Sequence, residues 1–334
     1  MKKITILALE RTVASTVTGP LDIFGLAGVL WNQISGLAAN PYFQVSIATV
    51  TGRPIECLNG LVIKPHGSIK MVSHPDLVII SAEDLGELEK TYQQTRPWLL
   101  KLHDQGTTLA SVCTGAFLLA ETGLLRGKRA TTHWGFADQF RKRYPDVDLR
   151  IESLITDEGN LLCAGGAFSY LDLSLYLVER YCGFEVASQC SKSLLLDLGR
   201  RSQIPYAIFE YQKHHQDDQI LRAQNLIEKN YAGTVSMDGL AGEIGMSLRN
   251  FKRRFRKATG DSPLAYVQRY RIETAKRLLE HTGRSITEIG FQIGYEDLAF
   301  FRRIFKRQVG LTPYEYRQRT HPKQPGIRTL EETG

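Results

Sequence analysis

No run of this sequence reaches the ~18 consecutive apolar residues that a membrane-spanning helix needs. Met1-Lys2-Lys3 leads straight into a strand-like run, without the apolar stretch and cleavage site of a secretory signal. A soluble, cytoplasmic protein with no membrane partner is the expectation. Cysteine is scarce: Cys57, Cys113, Cys163, Cys182 and Cys190 are odd in number, widely spaced, and form no CxxC or Cys/His pattern. The pattern gives no disulfide framework or zinc site, and neither metal nor cofactor is expected. No phosphate-cradling glycine loop and no paired carboxylates offer another chemistry. What remains is ordinary globular composition, 43% apolar and 23% charged over 334 residues. That is enough for about two domains, and it excludes disorder, collagen and coiled coil as whole-chain readings.

The net charge of +7 is unevenly placed. Residues 1–213 carry 21 Lys and Arg against 21 Asp and Glu, whereas residues 214–334 carry 21 against 14. The first part is neutral and the second holds the whole excess. A basic excess confined to one segment is what a polyanion-binding module needs, because each neutralised phosphate releases condensed counterions. A well-solvated surface has the same composition, so charge alone does not decide.

The pattern along the chain divides at the same place. Short β-branched runs at 4–9, 45–50, 77–80 and 108–112 read as buried parallel strands, and helical periodicity fills 21–30, 92–103, 115–122 and 171–181. This alternation predicts a doubly wound, flavodoxin-like α/β sandwich. Gln203-Ile204-Pro205 and the polar run from Lys213 and His214 to Asp218 read as connection, and only helices follow. The expected organisation is a domain over 1–200, a linker over 201–219, an all-α domain over 220–320 and a tail over 321–334.

The all-α part contains a duplication. Phe251, Phe255, Gly260, Pro263 and Tyr266 recur 50 residues on as Phe301, Phe305, Gly310, Pro313 and Tyr316, and Gly245 recurs 49 on as Gly294 because the second turn is one residue shorter. Each copy reads as a helix-turn-helix. Ser236 caps a helix to about Ile244, Gly245 turns, and Ser247 caps a second helix through about Ala258; Ser285 and Gly294 repeat the scheme. With Leu248, Phe251 and Phe255 inward, Arg249, Asn250, Lys252, Arg253 and Arg256 are left outward. With Leu298, Phe301 and Phe305 inward, Ala299, Arg302, Arg303 and Lys306 are left outward. One long helix over 266–281 joins the copies and sets their separation. Basic, turn-preceded helices enter the major groove, where Arg and Asn read guanine and adenine edges. The bland counterpart, a helical bundle with solvated arginines, does not call for two registered copies. Glu296-Asp297 at the second helix start repels phosphate, so the second copy is expected to read fewer bases.

The run Ile289-Gly290-Phe291-Gln292-Ile293-Gly294-Tyr295, then Phe301 to Arg307 and Gly310 to Arg317, closely resembles the AraC/XylS-type double helix-turn-helix domain of bacterial transcription regulators, over about 220–320. The resemblance implies sequence-specific binding of promoter or operator DNA, with an attached domain that senses a small molecule or dimerises. RNA polymerase is a further expected partner.

In the first domain, the strand ending at Cys113 passes through Thr114 and Gly115 into a helix, the arrangement of a nucleophile elbow. Backbone amides and the helix dipole are expected to lower the thiol pKa there. His133 follows the next strand, and Asp22 is expected at the first strand-to-helix junction on the same carboxyl edge, so that the three converge. The plain counterparts are a cysteine chosen for its small size, a satisfied histidine beside Trp134, and an acid serving a helix start. Ser111-Val112-Cys113-Thr114-Gly115, Thr131-Thr132-His133, and Asp157-Glu158-Gly159-Asn160 leading to Gly165-Gly166 resemble the ThiJ/PfpI branch of the class I glutamine amidotransferase-like superfamily, over about 3–195. Matched position by position, Cys113 falls on that family's reactive cysteine, Asp22 on its early acid and His133 on its downstream histidine. Thr114 departs from the peptidase-like members, which carry histidine there.

The combined reading is a DNA-binding transcription regulator, not an enzyme, working as a homodimer. Its small-molecule effector is expected at Asp22, Cys113, Thr114 and His133; from the resemblance alone, amino-acid derivatives or quaternary ammonium compounds fit. The competing reading is a Cys-dependent hydrolase or hydratase fused to a DNA-binding module. A third is a purely architectural DNA-binding protein.

Overall fold

The computed structural model describes residues 1–320 except 83, 87, 198, 199, 201, 208–212 and 214. The expected tail, His214 and part of the expected linker thus lie outside the described residues. The chain divides into two compact units, Met1–Ile204 and Pro205–Gly334.

In the first unit the elements run β1 (Lys2–Leu7), α1 (Ser15–Leu26), α2 (Leu30–Ile34), β2 (Phe43–Thr49), β3 (Ile55–Glu56), β4 (Val62–Ile63), β5 (Gly67–Ser68), β6 (Leu77–Ile80), α3 (Leu88–Asp104), β7 (Thr108–Val112) and α4 (Gly115–Glu121). They continue with β8 (Arg129–Ala130), α5 (Ala137–Arg143), β9 (Asp148–Leu149), β10 (Ile155–Asp157), β11 (Leu161–Ala164), α6 (Tyr170–Cys182) and α7 (Phe184–Leu194). Seven strands form one sheet in the order β10-β11-β7-β6-β1-β2-β5, parallel throughout except for the edge pair β10 and β11. Side chains alternate across it with period two. Ile4, Ile6, Leu77, Ile79, Ala110 and Val112 pack beneath α1, α6 and α7, while Leu7, Val78, Ile80, Leu109 and Leu161 pack beneath α3, α4 and α5. Both faces are covered, which explains strands that read as unbroken apolar runs.

The strands at 77–80 and 108–112 match the sequence reading residue for residue. The first helix does not. It starts at Ser15, ahead of the periodic stretch expected over 21–30, and it ends at Leu26 because Ala27 is extended and Gly28 sits at φ +76°. Its first turn is rich in hydroxyls, which hides a helix start from an apolar-period search. Ser202 bridges to Ser153 and Gln203 is buried, so the first unit continues past residue 200.

The second unit holds α8 (Asp218–Asn230), α9 (Met237–Glu243), α10 (Leu248–Thr259), α11 (Pro263–His281), α12 (Ile286–Gln292), α13 (Leu298–Val309) and α14 (Pro313–Thr320). Ser236, Ser247, Ser262 and Ser285 all cap helices with their hydroxyls. Each half has its own core. Ile220, Leu240, Phe251, Phe255 and Tyr266 form one, and Ile272, Ile289, Phe301, Phe305 and Tyr316 form the other.

Helix α11 also holds a buried pair, Lys276 and Glu273 at 3.0 Å, and the Lys276 ammonium donates to the Ala207 carbonyl at 2.5 Å. Lys213 in turn pairs with Glu228 at 2.9 Å. A fragment beginning at Pro205 keeps these partners and one beginning at residue 214 drops them. The longer fragment is expected to be more stable by about 1–3 kcal/mol, mostly from the acceptor of a buried charge. Urea titration followed by circular dichroism measures the difference, and equal midpoints would contradict it.

Candidate functional site

Among the candidate site residues of the first unit, Cys113 sits on a strained backbone. Its φ of +56° is left-handed, a conformation that a residue other than glycine adopts only where the surroundings impose it. Its amide donates to the Ala164 carbonyl on β11 at 2.9 Å, and its own carbonyl accepts from the Thr132 hydroxyl at 2.9 Å. Gly115 is required directly after the elbow, because a Cβ there would stand 2.5 Å from the Ser81 carbonyl oxygen. The elbow geometry is therefore present.

Its electrostatics run opposite to the expectation from the helix dipole. Burial pushes the Cys113 thiol up to about 11, and hydrogen bonds from Thr114 offset only part of that. Desolvation of a thiolate outweighs the partial charge at the start of a helix of only 7 residues. The group is a neutral thiol at physiological pH.

His133 caps a short turn over 134–136. Its Nδ1 accepts from the Gly135 amide at 3.1 Å, and burial lowers its pKa, so the imidazole is neutral. Its ring lies near Trp134 and Phe136. Among the described residues no hydrogen bond joins His133 to Cys113. Asp22 is not at the strand-to-helix junction. It lies two turns into α1 on the exposed side, while the neighbouring Pro20, Ile23 and Phe24 are buried. Its charge is felt by the Tyr170 phenol, which burial first and Asp22 second push up. The structure thus brings Cys113 and Thr114 together, sets His133 one residue past the Thr132 that holds the elbow, and leaves Asp22 apart.

The sequence reading missed the shell around the elbow. Thr12 and Thr16 approach at 3.2 Å, the Ala82 amide donates to the Thr16 hydroxyl at 3.2 Å, and the Leu9 amide donates to the Ser81 hydroxyl at 3.3 Å. Gln203, 3% exposed, completes it from the far end of the unit. Its Nε2 donates to the Thr131 hydroxyl at 3.1 Å and the Thr132 carbonyl at 2.9 Å, and its Oε1 accepts from the Trp134 amide at 3.3 Å. Gly165 leaves room for that amide, since a Cβ there would meet Gln203 at 2.6 Å. Glycine at 165 was visible in the sequence, but nothing local pairs it with a glutamine 38 residues on. Among the described residues this shell is made of hydroxyls and amides, without a carboxylate. Close by, an open cleft of about 500 Å³ is lined by Val13, Ala14, Ser15, Thr18, Leu58, Asn59 and Phe168. Val13 and Ala14 pack on the same cluster as Cys113, and the Ser15 hydroxyl in the cleft is buried without a partner. Among the described residues no group of three or more His, Cys, Asp or Glu is placed to hold a metal ion.

In the second unit α10 buries Phe251, Phe255 and Thr259 and exposes Arg249, Lys252, Arg253 and Arg256, with Asn250 half-buried. Asn250 orients the Arg253 guanidinium by accepting its Nη2 at 2.8 Å. Helix α13 buries Phe301, Ile304, Phe305 and Val309 and exposes Arg302, Arg303 and Lys306. Phe300, 38% exposed, stands among them where the sequence reading had placed no aromatic. Asp297 is occupied as the α13 cap, accepting from the Ala299 and Phe300 amides at 2.8 and 2.9 Å. Arg254 belongs to a different class. It grips Asp217, the cap of α8, at 2.7 and 3.0 Å and Gln219 at 2.6 Å.

Residues 2–180 match the DJ-1/PfpI family, and residues 240–319 match a helix-turn-helix domain. The chain is 27% identical over 278 residues to the HTH-type transcriptional regulator CdhR of Pseudomonas aeruginosa, covering 82% of each. It is 25% identical over 292 residues to the HTH-type transcriptional regulator GlxA of Rhizobium meliloti, covering 85% of this chain and 88% of that one. Among solved structures, a putative transcriptional regulator from Vibrio parahaemolyticus superposes with a TM-score of 0.51 at 24% identity, covering 58% of this chain and 98% of that chain. Drosophila melanogaster DJ-1beta superposes with a TM-score of 0.50 at 19% identity, covering 59% and 98%. These two show the fold of the first unit.

Two expectations follow from the geometry. Alkylation of Cys113 by iodoacetamide, followed by peptide mapping, is expected to be slow in the native chain at pH 8 and to accelerate toward pH 11 and in urea. Because folding raises this thiol above its ordinary 9.0, the unfolded chain releases the proton first, and this group's contribution to stability is lost as pH rises above about 9. Fast native labelling at pH 7 would contradict the buried thiol. For the basic helix, Arg253→Ala is expected to cost about 1–3 kcal/mol on a selected duplex and less on random DNA. Arg254→Ala is expected to lower the melting temperature instead, and the reverse pattern would exchange their roles.

Proposed function

From the premise that the chain belongs to the DJ-1/PfpI family, with a helix-turn-helix domain of the AraC type behind that fold, we propose that the Cys113 elbow senses an effector without turning it over. The chain is a DNA-binding transcription regulator, like the regulators that it resembles over most of their length. The geometry that carries the sensor reading is the buried Cys113 elbow, whose thiol is pushed up by burial and which, among the described residues, is surrounded by hydroxyls and amides. A nucleophilic cysteine needs a thiolate or a base within hydrogen-bond reach to make one. Here burial holds the proton on sulfur, and the nearby imidazole is engaged with Gly135. A shell rich in fixed donors and acceptors, beside an apolar cleft, instead suits recognition of a small molecule by orientation.

In this reading Cys113, Thr114 and His133 contact the effector, and the cleft under Phe168 takes its apolar part. The part of the effector that enters the cleft is uncharged, because among the described residues no Lys, Arg, Asp or Glu lines it. Arg249, Asn250, Lys252, Arg253 and Arg256, with Arg302, Arg303 and Lys306, face the DNA. Among the described residues, Arg249, Lys252, Arg256 and Arg302 are exposed and form no salt bridge, so their charge is available to phosphates and base edges. The protein works in the cytoplasm as a homodimer that meets RNA polymerase at the promoter; paired half-sites go with symmetric dimers.

The competing enzyme reading is separated by one pair of variants. Cys113→Ser is expected to leave basal DNA affinity within about two-fold, because the thiol lies in the other unit, and to alter the thermal shift produced by whichever metabolite a screen selects. His133→Asn is expected to act additively with it, as in a binding pocket, and not as a catalytic pair. Substrate turnover by the wild type, lost in both variants while regulation persists, would overturn the sensor reading.

A further inference from the structure

The two helix-turn-helix halves of the second unit share α11, and Tyr231 at the end of α8 packs against the core of the second half, its ring 5.0 Å from that of Tyr270. Their apolar cores are separate: on α11 the first ends at Val267 and the second begins at Ile272. The space between them is an open cleft of about 520 Å³ in which Leu264 and Phe291 remain more than half exposed. Apart from Tyr231, the joint is therefore an open cleft, although the separation of α10 and α13 must suit two successive major grooves.

Arg271 occupies the gap between the cores. Its Nε donates to the Tyr231 carbonyl at 2.8 Å, its Nη2 to the Gly233 carbonyl at 2.8 Å, and its Nη1 to the Gly294 carbonyl at 2.9 Å. The first two acceptors end α8 and lead into α9, and the third is the turn between α12 and α13. The guanidinium also lies over the Tyr295 ring, 5.1 Å from its centre. Gly294, at φ +87°, lets the two backbones meet. A Cβ there would fall on the Ala232 carbonyl oxygen and 2.9 Å from Arg271 Nη2.

We propose that Arg271 is a positioning residue for DNA recognition: by holding carbonyls from both halves in one planar fork, it fixes the second recognition helix relative to the first without touching DNA. Guanidinium geometry is what makes this possible, since three donors in one rigid plane set direction as well as distance, whereas an ammonium is a point charge on a flexible stem. A rigid joint turns the second helix's docking into an intramolecular event at high effective concentration, and a loose joint forfeits that gain.

This inference rests on the DNA-binding reading, and the experiment keeps the two apart. The full-length wild type is used to select a duplex from a randomised pool. Affinity is then measured by fluorescence anisotropy on that duplex, on versions with either box scrambled, and on versions with one or two base pairs inserted between the boxes. The wild type is expected to need both boxes at one spacing; if no duplex is selected, or either box is dispensable to it, the DNA reading fails and this inference with it. Arg271→Gln is expected to bind the intact duplex ~10- to 100-fold more weakly, yet to bind single-box duplexes within about two-fold of the wild type and to lose little more when base pairs are inserted. Arg271→Lys is expected to fall between, nearer to Gln than to Arg. Equal loss on every duplex, wild-type sensitivity to spacing, or failure of both variants to fold by circular dichroism overturns the proposal.

Discussion

A parallel sheet covered on both faces leaves chemistry only the ends of its strands, and the first unit is organised by that constraint. Alternate side chains of β1, β6, β7 and β11 are committed to one helical layer or the other, and the polar groups around the elbow lie at or beyond the last paired residues. The left-handed turn at Cys113, the Ser81 hydroxyl after β6, the Thr12 and Thr16 hydroxyls after β1 and the glycines after β11 all gather at that edge. Enclosure by two layers also sets the dielectric. The same burial that stabilises the sheet removes water from the thiol and leaves it protonated.

Arginine carries three unlike tasks within the second unit, and the surroundings assign them. Arg254 is consumed by Asp217 and Gln219, and Arg271 by three backbone carbonyls. The arginines on the solvent faces of α10 and α13 keep most of their donors for another molecule, Arg253 spending one on Asn250. Net charge alone does not separate these, because a cation spent on an internal carboxylate or carbonyl counts in the total and offers nothing to a phosphate.

Periodic and repeated features were legible in the sequence. The strands over 77–80 and 108–112, the serine caps and the second copy of the Phe, Gly, Pro and Tyr pattern are local in chain or fixed in offset, and they appear where the residues placed them. What was not legible depends on distance along the chain. Gln203 meets Thr131 and Thr132 across about 70 residues, and Arg271 meets Tyr231 across 40. Neither residue type announces its partner. The sign of the Cys113 shift was misread for a related reason: a helix start is visible locally, whereas the depth of burial is set by the whole sheet. Asp22 was placed wrongly because the helix begins at Ser15, so the junction had passed two turns earlier.

Gln203 has a practical meaning for building hybrid regulators. The wall of the elbow is completed by a side chain encoded after the last helix of the first unit, only two residues before the second unit opens at Pro205. A graft that joins this unit to a foreign DNA-binding module at the end of α7 would leave the Thr132 carbonyl and the Trp134 amide without their partner. It would expose the shell around the elbow to water from behind. The transferable unit is thus longer than its helices and strands, and runs to Ile204.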